Sequence, residues 1–206
     1  MAAASQSVGV ASEAYGVYAN TLSGSQAKAP FATIPTGGGL GDAEAASTGV
    51  TGVAQAENLL SMASGAGDSH DASAEAATVA ERINILSGLI TADGLTALAS
   101  SAFHGTTADA NASGSELVGL VVNGVAIAGT PAPNTQISLP GVGQVILNEQ
   151  LPSGDGVNST GITVNMIHVL LQTVAPGSCT LLGCTPSVTT TTGEIIVGSA
   201  TSSVVR

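Results

Sequence analysis

A chain of 206 residues, 44% hydrophobic and only 8% charged, is long enough for one domain with a sizeable core. Three basic residues, Lys28, Arg82 and Arg206, stand against fourteen acidic ones for a net charge of -11, which argues against nucleic acid and anionic lipid surfaces, both of which need clustered Lys and Arg. A mean hydropathy of +0.42 excludes disorder driven by charge, and with no Trp and 2% aromatic residues the core must be built from Val, Ile, Leu and Ala.

Near the start, Tyr15, Val17, Ala19 and Thr21 alternate with smaller or polar neighbours and predict a strand. Residues 23–49, rich in Gly, Pro and small polar side chains, read as irregular connections. A short helix is expected around Ala54 to Ala63, where Leu59, Leu60 and Met62 sit among good helix formers. From Ala72 to Ala102 short period-two runs suggest strands, with an Ala-rich helix as the alternative. Asn123-Gly124 tolerates the positive φ angles of a type I′ turn and lies between two apolar runs, predicting a β-hairpin. Ile137 to Pro140 and Gln144 to Asn148 follow as strands around Gly141-Val142-Gly143. Ile162, Val164, Met166, His168 and Leu170 line one face of a further strand, and Glu194 to Gly198 completes a final hairpin. The pattern predicts an all-β fold, a single antiparallel β-sandwich of Greek-key type over residues 1–206, with a β-solenoid as runner-up although no fixed repeat is present.

The shortage of charge is itself a signal, since a free domain usually carries about 25% charged residues. Either this is a secreted, Thr/Ser/Gly-rich β protein whose Thr and Ser hydroxyls do the solvating, or copies of the chain cover one another. Cys179 and Cys184 lie in a Pro- and Gly-bounded loop. A disulfide there would stabilise by roughly 2 kcal/mol on the chain-entropy model and would require an oxidising compartment; free thiols or half a metal site are the alternatives. Met1 to Ser5 shows no signal peptide, so an exported chain is expected to have had its leader trimmed. The uncharged stretches Leu117 to Asn148 and Gly156 to Gly193 are too interrupted by Pro, Asn and Gly for a spanning helix.

Candidate chemistry is sparse. Gly67-Asp68-Ser69-His70-Asp71 juxtaposes nucleophile, base and acid types, but neighbours on a strand point to opposite faces, so it reads as a solvated polar turn. Asp68, Asp71 and Glu75 are weak calcium candidates by their hard oxygen ligands. Gly37-Gly38-Gly39-Leu40-Gly41 lacks the Lys-Ser/Thr of a phosphate loop. His168 reads as a hydrogen-bonded core histidine, His70 and His104 as loop residues. Lys28, the single lysine, raises the idea of a Lys–Asn isopeptide bond. Asn111-Ala112-Ser113 and Asn158-Ser159-Thr160 fit the glycosylation sequon. No cofactor is expected.

Several segments resemble the bacterial choice-of-anchor family, type P: Ala14 to Tyr18, Asn84 to Asp93, Leu120 to Gly124, Leu139 to Gln150, Gly161 to His168 and Ile195 to Ala200. The resemblance implies export and a cell-surface or extracellular role and carries over no functional site. The expected function is therefore a non-enzymatic, exported structural protein that assembles with itself into a fibre, filament or layer. Residues 1–18 serve in this reading as an extension donated to a neighbour's sheet, with Tyr15, Val17 and Tyr18 as the assembly residues. The alternative is a monomeric surface adhesin or glycan-binding module, weakened by the lack of Trp.

Overall fold

The computed structural model describes residues 8–206 apart from Thr36, Ser69, Ser178, Leu181 and Leu182, with the backbone alone for Cys179, Thr180 and Gly183. Sixteen strands follow one another among the described residues. The first six are long: β1 (Gly9–Thr21), β2 (Gly24–Thr33), β3 (Gly39–Val50), β4 (Ala54–Gly67), β5 (Asp71–Ile85) and β6 (Ile90–His104). Short ones come next: β7 (Thr107–Asn111), β8 (Glu116–Val118), β9 (Val121–Val122), β10 (Val125–Ala126) and β11 (Thr135–Leu139). The chain ends with β12 (Gly143–Gly154), β13 (Ser159–Ala175), β14 (Cys179–Thr180), β15 (Gly183–Cys184) and β16 (Val188–Val205).

Two antiparallel sheets pack face to face. The first has the order β11-β12-β13-β16-β1-β2 and the second β10-β9-β6-β5-β4-β3, with β7 and β8 also placed along β6. The chain starts in the first sheet with β1 and β2, crosses to the second, where β3 to β6 form a meander, and returns to the first with β11 to β13, closing with β16 between β13 and β1. The sandwich expected from the sequence is present. Its winding is a meander in place of a Greek key, and the runner-up solenoid does not form. Among the described residues no helix is long and apolar enough to cross a membrane.

Two expectations are corrected. Ala54 to Ala63 is strand β4 and not a helix: Ala54, Ala56, Leu59, Ser61 and Ala63 are buried in an alternation shifted once at Asn58, whose φ is 50°. Packing against neighbouring strands overrides alanine's helix preference here. Residues 23–49 hold β2 and β3, not irregular loops, because small residues let the two sheets meet at a corner; a Cβ on Gly41 would collide with the Thr33 carbonyl. The Asn123-Gly124 hairpin forms as expected, with φ of 49° and 76°.

Each sheet carries positive-φ residues that reset the alternation. Asn58 and Arg82 do so in the second sheet, and Asn148 and Gly198 in the first, all with positive φ. The result is visible along β16, where Ile195 and Val197 are buried and then Ala200, Ser202 and Val204. A residue in the left-handed conformation turns the following side chains to the other face, at Asn148 and Gly198 with the pairing register unchanged on both sides, so both halves of these long strands bury against the opposite sheet. The first sheet contributes Val145, Leu147, Met166, Ile167, Val169 and Ile195; much of the second contributes alanine, including Ala76, Ala80, Ala97 and Ala99. Phe103 anchors a smaller cluster with Val10, Ala72, Ala74 and Val204. Buried hydroxyls find partners across the layers: Ser101 Oγ lies 2.7 Å from Ser202 Oγ, and Ser61 Oγ donates to the Pro30 carbonyl at 3.1 Å.

Candidate functional site

Outward-facing residues of the first sheet form ordered cross-strand rows. One row runs Ile146, His168, Ile196, Tyr18 and the next Glu149, Asn165, Ser199, Tyr15, Phe31. The left-handed backbone at Asn148, φ 49°, turns Glu149 to the same face as His168 with no change in the β12–β13 register; strict alternation from Ile146 would have turned it inward. Ile146, Ile196, Tyr15, Asn165 and Glu149 are all buried although they face away from the core.

His168 is the centre of this cluster. Its Nδ1 lies 2.8 Å from Glu149 Oε2 and its Nε2 2.8 Å from Glu194 Oε1. Asn165 donates from Nδ2 to Glu149 Oε2 at 2.7 Å, while its own buried Oδ1 has no partner. Burial alone would pull the His168 pKa down, but hydrogen bonds and charge from Glu149, with Glu194 adding to them, raise it above its ordinary value. Burial likewise opposes ionisation of Glu149, yet the hydrogen bonds from His168 and Asn165 and the imidazolium charge hold it below the ordinary carboxylate value. Tyr15, bonded to Ser199, is pushed up, chiefly by burial. With both ring nitrogens committed to carboxylates, His168 has no lone pair to offer a substrate. The arrangement holds a proton between two carboxylates and ties β12, β13 and β16 together.

The predicted site residues do not converge there as a group. Asp68 Oδ1 accepts the backbone N–H groups of His70 and Asp71 at 2.7 and 2.9 Å, which closes the β4–β5 turn and lowers the Asp68 pKa. Glu75 lies four residues further along β5 than Asp71, about 13 Å away in extended chain, so the three calcium candidates are not brought together, and no cluster of metal-ligating side chains occurs among the described residues. Ser69 lies outside the described residues. Tyr15 and Val17 are buried in β1, an interior strand paired with both β16 and β2, and Tyr18 is half-buried beside Ile196. Residues 9–18 are thus built into the chain's own sheet and are not a free extension; residues 1–7 lie outside the described ones. Lys28 Nζ pairs with Glu13 Oε1 at 2.7 Å over the Tyr15 ring. It sits on β2, three strand positions from Asn165 on β13, so the isopeptide geometry is not assembled around that buried Asn.

No family model, no curated protein and no solved structure matches the chain. Its functional features have to be read from its own surface. The most prominent is the far end of the β13–β16 hairpin. β12 accompanies β13 only as far as Leu171, and β1 accompanies β16 only from Glu194. Gln172 still donates its N–H to the Val142 carbonyl at 2.8 Å; beyond it, among the described residues, the pairs Thr173–Thr190, Val174–Thr189 and Ala175–Val188 have no further strand beside them. Residues 173–177 and 184–191 are exposed, and the backbone register places Cys179 opposite Cys184 near the tip. The sequence carries no Asp, Glu, Lys or Arg between Asp155 and Glu194.

Two features escaped the sequence reading. Glu149 and Glu194 were not recognisable as partners of His168, although a carboxylate isolated within an apolar strand is a signal that it needs one. The two-stranded arm was visible only as a loop with cysteines.

Proposed function

We propose that the protein is an exported, non-enzymatic structural subunit that associates with copies of itself at the cell surface or outside the cell, and that the β13–β16 arm makes the contact. The observation that supports this reading is the arm itself: a ribbon with both ladder edges unpaired, uncharged, and free of the Lys that normally blunts such edges. A chain of net charge -11 repels its own copies, and the arm is a region where that repulsion is least. The resemblance to exported anchor-carrying proteins fits the same reading. Strand pairing is then expected from the arm, since residues 9–18 already fill their own sheet.

Negative-stain electron microscopy with size-exclusion light scattering tests it. The expected result is filaments, sheets or discrete oligomers for the unaltered protein and a monomer for Val174→Lys/Thr190→Lys, whose side chains are exposed and leave the core untouched. Assemblies that survive the double substitution unchanged, or a monomer for the unaltered protein at every concentration, overturn the proposal; a monomer would turn attention to the adhesin reading and a glycan array.

The tip is part of the same proposal. A Cys179–Cys184 bridge would lock its two-residue ladder, and intact mass before and after reduction should then differ by two hydrogens. Because this ladder forms a separate two-stranded sheet, reduction is expected to speed proteolysis within the arm while leaving the unfolding midpoint of the sandwich unchanged.

A further inference from the structure

The second sheet turns an apolar surface away from the core. Register places Met62 beside Ala77 and Ala77 beside Leu98, with Leu60 beside Val79 in the next row. Met62 is 45% and Leu60 37% exposed, and a cleft of about 480 Å³ opens over them, bounded by Leu40. Carboxylates border this patch: Asp42 lies opposite Met62 and Glu44 opposite Leu60 on edge strand β3, and Glu75 closes the row of Leu40 and Ser64.

Among the described residues no basic group pairs with Asp42, Glu44 or Glu75. The chain's basic side chains are engaged elsewhere: Lys28 with Glu13, Arg82 with Glu57 and Glu81, and Arg206 over the Phe103 ring at 4.2 Å. A second copy would bring further negative charge to an already acidic rim, and an anionic lipid surface would do the same. We propose that this face docks a basic amphipathic segment of another protein, with aliphatic side chains on Leu60 and Met62 and Lys or Arg on Asp42, Glu44 and Glu75. Apolar contact supplies area and the unneutralised carboxylates supply selectivity and steering. The proposal is independent of the arm, which belongs to the other sheet.

The probe is a fluorescently labelled peptide of alternating Leu and Lys, titrated by anisotropy into the full-length protein at about 0.15 M salt. Saturable one-to-one binding is expected. Leu60→Ser/Met62→Ser and Asp42→Asn/Glu75→Gln should each weaken it about tenfold, whereas Asp109→Asn/Glu116→Gln, which removes equal charge from elsewhere, should change it less than about twofold. Equal weakening by the control pair would reduce the effect to net charge and overturn the proposal. So would the absence of saturation, or a change in the protein's own oligomeric state on substituting Leu60 and Met62, which would show that a second copy covers this face.

Discussion

Replacing Gly198 with alanine should destabilise the protein by about 3 kcal/mol, while the same change at Gly88 should cost about 1 kcal/mol. Gly198 sits at φ 73° in the middle of β16, a conformation that costs an L side chain roughly 1–2 kcal/mol. An added Cβ would also run into the Leu95 side chain, with Cδ2 at 2.9 Å and Cγ at 3.3 Å. Leu95 is 3% exposed and has nowhere to go, so overpacking adds about 1–3 kcal/mol. Gly88 shares the positive φ, at 92°, but its Cβ would meet nothing within 4 Å, so only the backbone cost remains. Urea unfolding of both variants separates the two contributions; equal losses would mean that the backbone at Gly198 is not packed against the second sheet.

The same positive-φ residues explain what the sequence could and could not disclose. The Asn123-Gly124 hairpin and the strand from Ile162 to Leu170 were legible, because a turn dipeptide and an aliphatic period of two act locally. Ala54 to Gly67 was not. Alanine is a good helix former, and the bulge at Asn58 breaks the alternation that would have marked a strand. Residues 23–49 failed for a related reason: Gly, Pro and Ser read locally as turn residues, and their place in a strand is decided by which strand lies alongside. In the polar cluster, His168 was legible as a hydrogen-bonded strand histidine, but its face was misjudged. It lies outside the core, and Glu149 reaches it only because the positive φ of Asn148 turns the following residue to that side. The arm depends on where β1 and β12 stop, which is a property of pairing and not of residues 172–191 themselves.

The polar cluster yields the second large effect. His168→Leu should destabilise the protein by about 3 kcal/mol at pH 6, since removing one member of a buried pair leaves the other uncompensated. The exposed side of the cluster matters less: the Glu194 side chain is 38% exposed and can be hydrated, whereas that of Glu149 is 10% exposed. The pH dependence identifies the cause. The pKa of folded His168 is raised above its ordinary 6.5, so its contribution is fully present below about pH 6.5 and is lost as pH rises through the folded value. That of Glu149 is lowered from 4.5, so its contribution is present above about pH 4.5 and is lost as pH falls through the folded value. The part of the stability profile due to this cluster should therefore peak between these limits. In the leucine variant Glu149 keeps its burial and loses the imidazolium, which raises its folded pKa; stability should then increase as pH falls from 7 towards 4, opposite to the fall expected of the paired carboxylate. Glu149→Gln combined with His168→Leu should recover part of the loss and flatten the profile, because no buried charge is left without its partner. A leucine variant that keeps the parent's pH profile would show that the imidazole and Glu149 are not coupled in solution, and the cluster would then be no more than packing between the rows of Ile146 and Tyr15.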